Sequence, residues 1–158
     1  MSKILIVDCD RCTYCGLCIM VCSFKHEGEF NPLKARLTVD RAIPEGMMVP
    51  NVCWQCESPA PCESACAMNA IRRNEDTGAL VIDYERCSDC GVCRISCPYD
   101  NMRMASDTGQ KIKCDLCGGD PECVKYCAYD ALTFVEATEE NMKRKKGFKE
   151  EISNLLAA

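Results

Sequence analysis

The sequence has few of the large side chains that usually build a protein core. Only 6% of its 158 residues are aromatic, with four Phe, five Tyr and one Trp. Its uninterrupted apolar runs are also far shorter than the roughly 20 residues of a transmembrane helix. We therefore expect a small protein without a membrane span, whose interior depends on something besides aromatic packing.

Motifs for most substrates and organic cofactors are absent as well. No GxGxxG or GKT/GKS loop is present to hold a dinucleotide or a nucleotide phosphate, and no CxxC pair is followed by the His of a c-type haem site. The formal net charge of −5 argues against a nucleic-acid partner, because nucleic-acid-binding domains normally carry a basic face. We expect a non-catalytic protein that does not bind nucleic acid.

Cysteine is the residue that the sequence has in excess. Sixteen of its 17 Cys fall into four blocks with two alternating spacings. Blocks one and three have the spacing CxxCxxCxxxC, and blocks two and four have the spacing CxxCx5CxxxC. In chain order the blocks are Cys12, Cys15, Cys18, Cys22; Cys53, Cys56, Cys62, Cys66; Cys87, Cys90, Cys93, Cys97; and Cys114, Cys117, Cys123, Cys127.

A secreted disulfide scaffold is one class of cysteine-rich protein. The apolar run Ile4 to Val7 near the start is too short for the hydrophobic region of a signal peptide. We therefore expect a cytoplasmic protein in a reducing, anaerobic environment, where cysteines more often bind metal than form disulfides.

The spacing of the blocks favours iron-sulfur clusters over zinc. Three cysteines in a tight loop can bind three iron atoms of one cubane, and the fourth thiolate comes from elsewhere in the chain. Structural zinc normally uses two CxxC pairs, so the third cysteine of each block would have no role. We predict four [4Fe-4S] clusters, one for each block.

The segment from Cys53 to Met104 resembles a complete bacterial two-cluster ferredoxin. It contains block two, a hairpin whose first strand is expected to open at Ala70 and Ile71 and whose second is expected at Leu80–Asp83, block three, and Pro98 after the last cysteine. In bacterial-type ferredoxins the last cysteine of a block begins a short helix that leads toward the other cluster, which it ligates. The resemblance therefore implies that blocks two and three share ligands.

Blocks one and four then complete a second unit. Strands expected at Ile4–Val7 and Ala131–Val135 bring the chain ends together, and Lys111–Lys113 reads as the strand entering block four. The predicted fold is α+β, with two nested bacterial-type ferredoxin units of short β-hairpins and short helices, plus a C-terminal helix. The expected regions are 1–22 with 105–135 as the outer unit, 23–52 as a linking insertion, 53–104 as the inner unit and 136–158 as a helical tail.

Crossed ligation in this nested pattern assigns the cysteines to four sites. Site 1 is Cys12, Cys15, Cys18 and Cys127; site 2 is Cys114, Cys117, Cys123 and Cys22; site 3 is Cys53, Cys56, Cys62 and Cys97; site 4 is Cys87, Cys90, Cys93 and Cys66. Each site takes its fourth ligand from another block because the CxxxC helix carries the last cysteine away from the first three.

Two stretches resemble a more particular family. CWQCESPAPCESACAMNAI, which is block two and its continuation, is similar to iron-sulfur subunits of molybdopterin and tungstopterin oxidoreductases. CSFKHEGEFNPLKARL, which begins at Cys22, is similar to the small polyferredoxin subunit of tungsten-dependent aldehyde oxidoreductases and of related benzoyl-CoA reductase assemblies.

The family resemblance implies an electron-transfer subunit for this chain. Its partner would be a large tungstopterin or molybdopterin subunit, with a flavoprotein or another acceptor and further copies of the chain as additional partners. The alternatives are a free polyferredoxin, or a subunit of a hydrogenase, carbon monoxide dehydrogenase or benzoyl-CoA reductase complex. Two further alternatives come from different functional classes. They are an interaction module stabilised by zinc, and an iron-sulfur sensor.

Three features lie outside the blocks. Cys9 is expected to be a small buried residue, and the single histidine, His26, is expected to form hydrogen bonds at a surface or interface. From Glu136 to Leu156 the spacing of Met142, Phe148, Ile152 and the final leucines predicts an amphipathic helix that covers the chain's own clusters or docks on another subunit.

Overall fold

Short strands and short helices alternate through the chain in an α+β arrangement. The computed structural model describes residues 3–41 and 46–157, with side chains to residue 150. The strands in this part are β1 (Lys3–Val7), β2 (Thr38–Arg41), β3 (Met48–Asn51), β4 (Ile71–Arg73), β5 (Leu80–Ile82), β6 (Arg103–Met104), β7 (Lys111–Ile112) and β8 (Leu132–Glu136). The α-helices are α1 (Leu17–Glu27), α2 (Pro61–Ser64), α3 (Val92–Ile95), α4 (Glu122–Lys125) and α5 (Glu139–Ala157), and two 3₁₀ helices lie at Pro32–Lys34 and Leu116–Gly119.

The strands pair in four antiparallel two-stranded ladders. Three of the ladders are hairpins, β2–β3, β4–β5 and β6–β7. The fourth joins the two ends of the chain, because β1 pairs with β8 in a register that places Lys3 opposite Glu136 and Val7 opposite Leu132. The segment between β1 and β8 therefore begins and ends at the same ladder.

The observed strands β1, β4, β5, β7 and β8 begin within one residue of the expected positions. Two hairpins contain strands that the sequence analysis did not identify. Strand β6 has only two residues, which is too short to show an alternating pattern. Strand β3 contains Pro50, which pairs with Val39, and proline inside a run argues against a strand unless the strand lies at a sheet edge.

The helices of blocks two, three and four contain the third cysteine of each block. Helices α2, α3 and α4 have four residues each and include Cys62, Cys93 and Cys123. The helix therefore contains the third cysteine and ends before the fourth, as expected for a CxxxC helix. The expectation that the last cysteine begins a short helix is wrong for these three blocks. The backbone between the third and fourth cysteines is still helical or turn-like, which separates the two thiols along the chain.

Helix α1 differs from the other three because it has 11 residues and carries both Cys18 and Cys22. It begins after Gly16 and ends at Glu27. The next residue, Gly28, has a left-handed backbone (φ 72°), and its N–H donates to the Phe24 carbonyl over 2.9 Å. The segment expected to be an insertion from residue 23 therefore begins inside a helix. The rest of that segment contributes the hairpin β2–β3.

The buried side chains form two clusters. One contains Leu5, Val7, Leu37 and Leu132 together with buried cysteines, and it lies under the β1–β8 ladder. The other contains Ile71, Leu80 and Met102 and lies under the inner hairpins. Cys9 is buried in the first cluster at 8% exposure, as expected.

Helix α5 begins three residues later than expected, because β8 continues to Glu136. The Thr138 hydroxyl accepts a hydrogen bond from the Asn141 N–H over 3.2 Å, which satisfies one of the free amides at the start of the helix. Phe148 packs on Trp54 with ring centroids 5.4 Å apart. The expected apolar contacts of Ile152, Leu155 and Leu156 lie outside the described side chains. No helix in the described ranges has both the length and the hydropathy of a membrane span.

We predict that Leu132→Ala destabilises the protein through the ladder that closes the chain ends. Leu132 is 1% exposed and sits in the first core cluster, so loss of its side chain should lower the free energy of unfolding by about 2–5 kcal/mol. Leu33 is 64% exposed, and Leu33→Ala is the matched control with an expected change within about 0.5 kcal/mol. Anaerobic urea denaturation followed by circular dichroism measures both, and equal midpoints for the two variants would contradict the role of this ladder.

Candidate iron-sulfur sites

The four site 1 cysteines line one cavity. Cys12, Cys15 and Cys18 come from block one, and Cys127 comes from block four at the other end of the chain. The pairing of β1 with β8 brings these two blocks together. Cys15 is exposed to solvent, whereas the other three thiols are partly buried. Tyr126 and Tyr129, which are half exposed, form part of the same wall.

The site 3 cysteines line a second cavity in the inner part of the fold. Cys53, Cys56 and Cys62 of block two face Cys97 of block three. Further lining residues are Trp54, Tyr99, Met102 and Lys113.

The site 4 cysteines line a third cavity, which is formed by the same two blocks. Cys87, Cys90 and Cys93 of block three lie with Cys66 of block two. Cys90 is exposed, and Val92 beside it on this wall is 44% exposed. Sites 3 and 4 therefore each draw three cysteines from one block and one from the other.

Three of the four site 2 thiols are buried, and Cys117 is partly buried. Cys22, Cys114 and Cys123 belong to the first core cluster. Burial raises the pKa of the Cys123 thiol well above its usual value, and the charges of Cys114, Cys22 and Cys117 add to the rise. Cys22 of block one thus lies beside the three cysteines of block four.

Neighbouring sites are close to one another in a fixed order. Cys18 of site 1 contributes to the largely burial-driven rise in the pKa of Cys123 of site 2. Burial raises the pKa of Cys114 of site 2 to about 12, and the charge of Cys53 of site 3 adds to this rise. Thiols of sites 3 and 4 pack around one core cluster. The order is site 1, site 2, site 3, site 4, and each end site has an exposed cysteine.

A repeated backbone feature shapes the start of every block. The residue before the second cysteine has a left-handed conformation in all four blocks, with φ of 60° at Tyr14, 48° at Gln55, 55° at Asp89 and 57° at Leu116. Such a conformation is costly for residues with a Cβ, by roughly 1–3 kcal/mol each, and it curls the chain so that successive amides can face an anionic group. Its recurrence at four equivalent positions indicates a shared binding role.

Backbone amides also donate to the fourth cysteine of three blocks. The Ala70 N–H donates to Cys66 Sγ and the Asn101 N–H to Cys97 Sγ, each over 3.3 Å and four residues along the chain. In block one α1 continues past Cys22, and the Arg36 N–H donates to Cys22 Sγ over 3.3 Å from 14 residues away. The segment after α1 therefore supplies the N–H···S hydrogen bond to the fourth cysteine, which blocks two and three form within four residues.

The donor chemistry of these cavities fits an iron-sulfur cluster. Burial raises the pKa of Cys18 to about 12 and that of Cys62 to about 11, and neighbouring thiolates add to both rises. Such thiols lose their protons when a cation binds among them, and iron is such a cation. Four thiolates per site also suit tetrahedral zinc, so the donor set alone does not choose between the metals.

Two polar neighbours of the sites were not predicted from the sequence. Gln55 joins two blocks, because its Nε2 donates to the Cys114 carbonyl and its Oε1 accepts from the Leu80 N–H, both over 2.8 Å. Lys113 is buried beside site 3. The spacing of the cysteines could not predict either residue, because the contacts of Gln55 and Lys113 join segments that are distant in sequence.

His26 lies against block four and not on an open surface. Its Nε2 is 3.7 Å from Cys117 Sγ and 3.5 Å from Asp115 Oδ1, and burial lowers the pKa of the imidazole. These three side chains are close enough to hold a metal ion together, but Cys117 is also one of the four site 2 thiols. His26 is therefore a neighbour of site 2, which its position 91 residues earlier in the chain gave no means to predict.

Comparison with known proteins indicates [4Fe-4S] clusters as the cofactor of this chain. Residues 44–137, which contain blocks two to four, match the family model described as a 4Fe-4S dicluster domain. The polyferredoxin-like subunit of an aliphatic sulfonate oxidoreductase from Pyrococcus furiosus is 40% identical over 83% of this chain and 76% of its own length. A tetrathionate reductase subunit from Salmonella typhimurium is 30% identical over 78% of this chain, which spans about half (53%) of that protein.

A solved structure also matches nearly the whole chain. It is described as the active site complex BamBC of benzoyl coenzyme A reductase with benzoyl-CoA. The match has a TM-score of 0.51 and 29% identity, and it covers 96% of this chain and 89% of the other. The similarity therefore includes blocks one to four.

Proposed function

This chain belongs to the 4Fe-4S dicluster domain family, and on that premise we propose that it is the electron-transfer subunit of a larger oxidoreductase, with four [4Fe-4S] clusters. When bound, such clusters accept and release single electrons. The chain itself sets their spacing, their exposure and the hydrogen bonds to their sulfur atoms. The observation that carries the proposal is the arrangement of sixteen cysteines as four adjoining groups of four.

The proposed ligands are those of sites 1 to 4, with crossed contributions from the last cysteine of each block. Three of the sites are supported by cavities that contain their four cysteines. Site 2 is supported by the burial of Cys22, Cys114 and Cys123 in one cluster, and by the effect of the charges of Cys114, Cys22 and Cys117 on the pKa of Cys123. In this scheme sites 1 and 2 belong to the outer ferredoxin unit and sites 3 and 4 to the inner unit.

The order of the sites supports a relay. Exposed Cys15 at site 1 and exposed Cys90 at site 4 give an electron two points of entry or exit, while sites 2 and 3 connect them through the interior. Four clusters in a row are more than one local reaction requires. An electron therefore passes between two partners that contact different ends of the chain.

The proposed principal partner is a large tungstopterin or molybdopterin subunit, in particular that of an aldehyde oxidoreductase. The support is the similarity of CSFKHEGEFNPLKARL to small subunits of such enzymes and the 40% identity to a polyferredoxin-like subunit of another oxidoreductase. A flavoprotein is the proposed acceptor. The substrate belongs to the partner, since the named relatives serve enzymes of different substrates.

A second candidate is an electron-transfer subunit in a benzoyl-CoA reductase type of assembly. The match to a chain of the BamBC complex over 96% of this sequence favours it. The two candidates share the same electron-transfer role, and they differ in the reaction of the large subunit. Identification of that subunit decides between them.

Purification under anaerobic conditions from the native host tests the partner. We predict that the chain purifies with a larger subunit that contains pterin and tungsten or molybdenum, as determined by mass spectrometry and metal analysis. The ratio of the subunits also reveals further copies of the chain. Recovery of the chain as a stable monomer with a full iron content would instead support a free polyferredoxin.

We predict that Cys22→Ser perturbs the cluster held by block four, because the Cys22 thiol lies with Cys114, Cys117 and Cys123. Its low-temperature EPR spectrum and midpoint potentials should therefore resemble those of Cys117→Ser and differ from those of Cys12→Ser. Cys9 lies outside the four blocks, and Cys9→Ser is the matched control that should keep all cluster signals. A Cys22→Ser variant that matches Cys12→Ser would mean that block one ligates its own cluster with all four cysteines.

A further inference from the structure

One lysine is buried in the wall of site 3. Lys113 is 3% exposed and lines the cavity together with the four site 3 cysteines. Its Nζ donates to the Leu80 carbonyl, and to the Cys114 carbonyl over 3.0 Å. Among the described residues, no carboxylate lies within ion-pair distance of this ammonium. A buried ammonium needs a compensating negative charge, so the nearby thiolates are its natural counter-ions.

Three more lysines line a cavity that adjoins site 3. A cavity bounded by Trp54 and Cys56 is also lined by Lys145, Lys146 and Lys149 of α5. Lys149 lies over the Tyr99 ring at 5.3 Å from its centroid. Glu57 also lines this cavity, so the cavity contains three cationic side chains and one carboxylate.

The thiolates and the lysines are close enough to influence one another. Burial lowers the pKa of Lys145, and the charges of Cys53 and Cys56 oppose that effect. Burial raises the pKa of Cys62 to about 11, and Lys113 opposes that rise. Lys145 therefore acts on site 3, and Lys113 acts on site 3 and also on Cys114 of site 2.

The cations that line sites 1 and 4 are paired with carboxylates. Arg11 lines the site 1 cavity and lies 3.4 Å from Asp130. At site 4, Lys111 Nζ is 3.1 Å from Asp89 Oδ1.

Site 2 has the same kind of pairing, except that Lys113 also lies next to Cys114 and is therefore shared between sites 2 and 3. Arg36 next to Cys22 is 3.1 Å from Asp115, and Lys25 Nζ is 3.9 Å from Glu122. In the described part of the chain, site 3 is thus the site with the largest excess of nearby positive charge.

We propose that the site 3 cluster has the highest reduction potential of the four, and that Lys113 and Lys145 are the residues that raise it. The proposal rests on the proposed function, since it concerns the clusters of that relay. On reduction, site 3 gains one electron and the reduced cluster at a neighbouring site loses it, with no bond made or broken. Nearby cations stabilise the reduced form more than the oxidised form, because the added electron increases the negative charge. Electrons entering from either end therefore settle at site 3.

The test is an EPR-monitored redox titration of the anaerobic, cluster-loaded protein. Lys113→Met removes the buried charge and should weaken reduction of one cluster at least tenfold, which for one electron is a fall of about 59 mV. Lys145→Gln should lower the potential of the same cluster by a smaller amount, because the residue faces an open cavity. Cys53→Ser, a ligand change in block two, identifies the signal of site 3.

Lys143→Gln is the matched control. It removes the same charge from the same helix, but Lys143 is 76% exposed and is paired with Glu139. Its four midpoint potentials should equal those of the unmodified protein. If Lys113→Met fails to fold, Lys145→Gln still tests the proposal without a change in the core.

The outcomes separate this inference from the function on which it depends. The inference is supported when both lysine variants lower the highest potential and Cys53→Ser alters that same signal. It is overturned when the site 3 signal is not the highest, or when neither lysine variant lowers it in protein with a full iron content. Absence of cluster signals and of iron in the unmodified protein would instead overturn the proposed function.

Discussion

The structure depends on one constraint, which is that thiol groups from separate segments lie together in the interior. As thiolates they repel each other, and burial raises the pKa of several of them, as at Cys18 and Cys114. Iron removes both penalties because it supplies positive charge at the centre of each group. Other features follow from this need. Left-handed residues curl the start of each block, and the β1–β8 ladder holds block one against block four.

The parts of the chain outside the blocks complete the surroundings of the sites. The segment after α1 supplies the Arg36 amide to Cys22, because the long helix prevents the local bond found at Cys66 and Cys97. Helix α5 covers site 3 and brings lysines to it. Both segments therefore act on the electronic surroundings of a site, through hydrogen bonds and charge, in addition to packing.

Much of this arrangement could be predicted from the sequence because cysteine spacing is a local pattern. The spacing located the blocks, and short apolar runs located the starts of β1, β4, β5, β7 and β8 to within one residue. Contacts across the fold had no such signal. Lys113 directly precedes Cys114 in sequence, yet it lines the cavity of Cys62 in another block, and only the packing of segments distant in sequence places it there. The predicted start of α5 at Glu136 was wrong because Glu136 pairs with Lys3 and belongs to β8. This pairing joins the two ends of the chain, so no local pattern predicts it.

The central claim is that each of the four cysteine blocks accounts for one cubane. Determination of iron, acid-labile sulfide and zinc in the anaerobically purified chain, with Mössbauer spectroscopy of the iron, tests it most directly. The account predicts about sixteen iron and about sixteen sulfide per chain, all in [4Fe-4S] form, at four of each per block. About eight of each, or stoichiometric zinc with little sulfide, would contradict it.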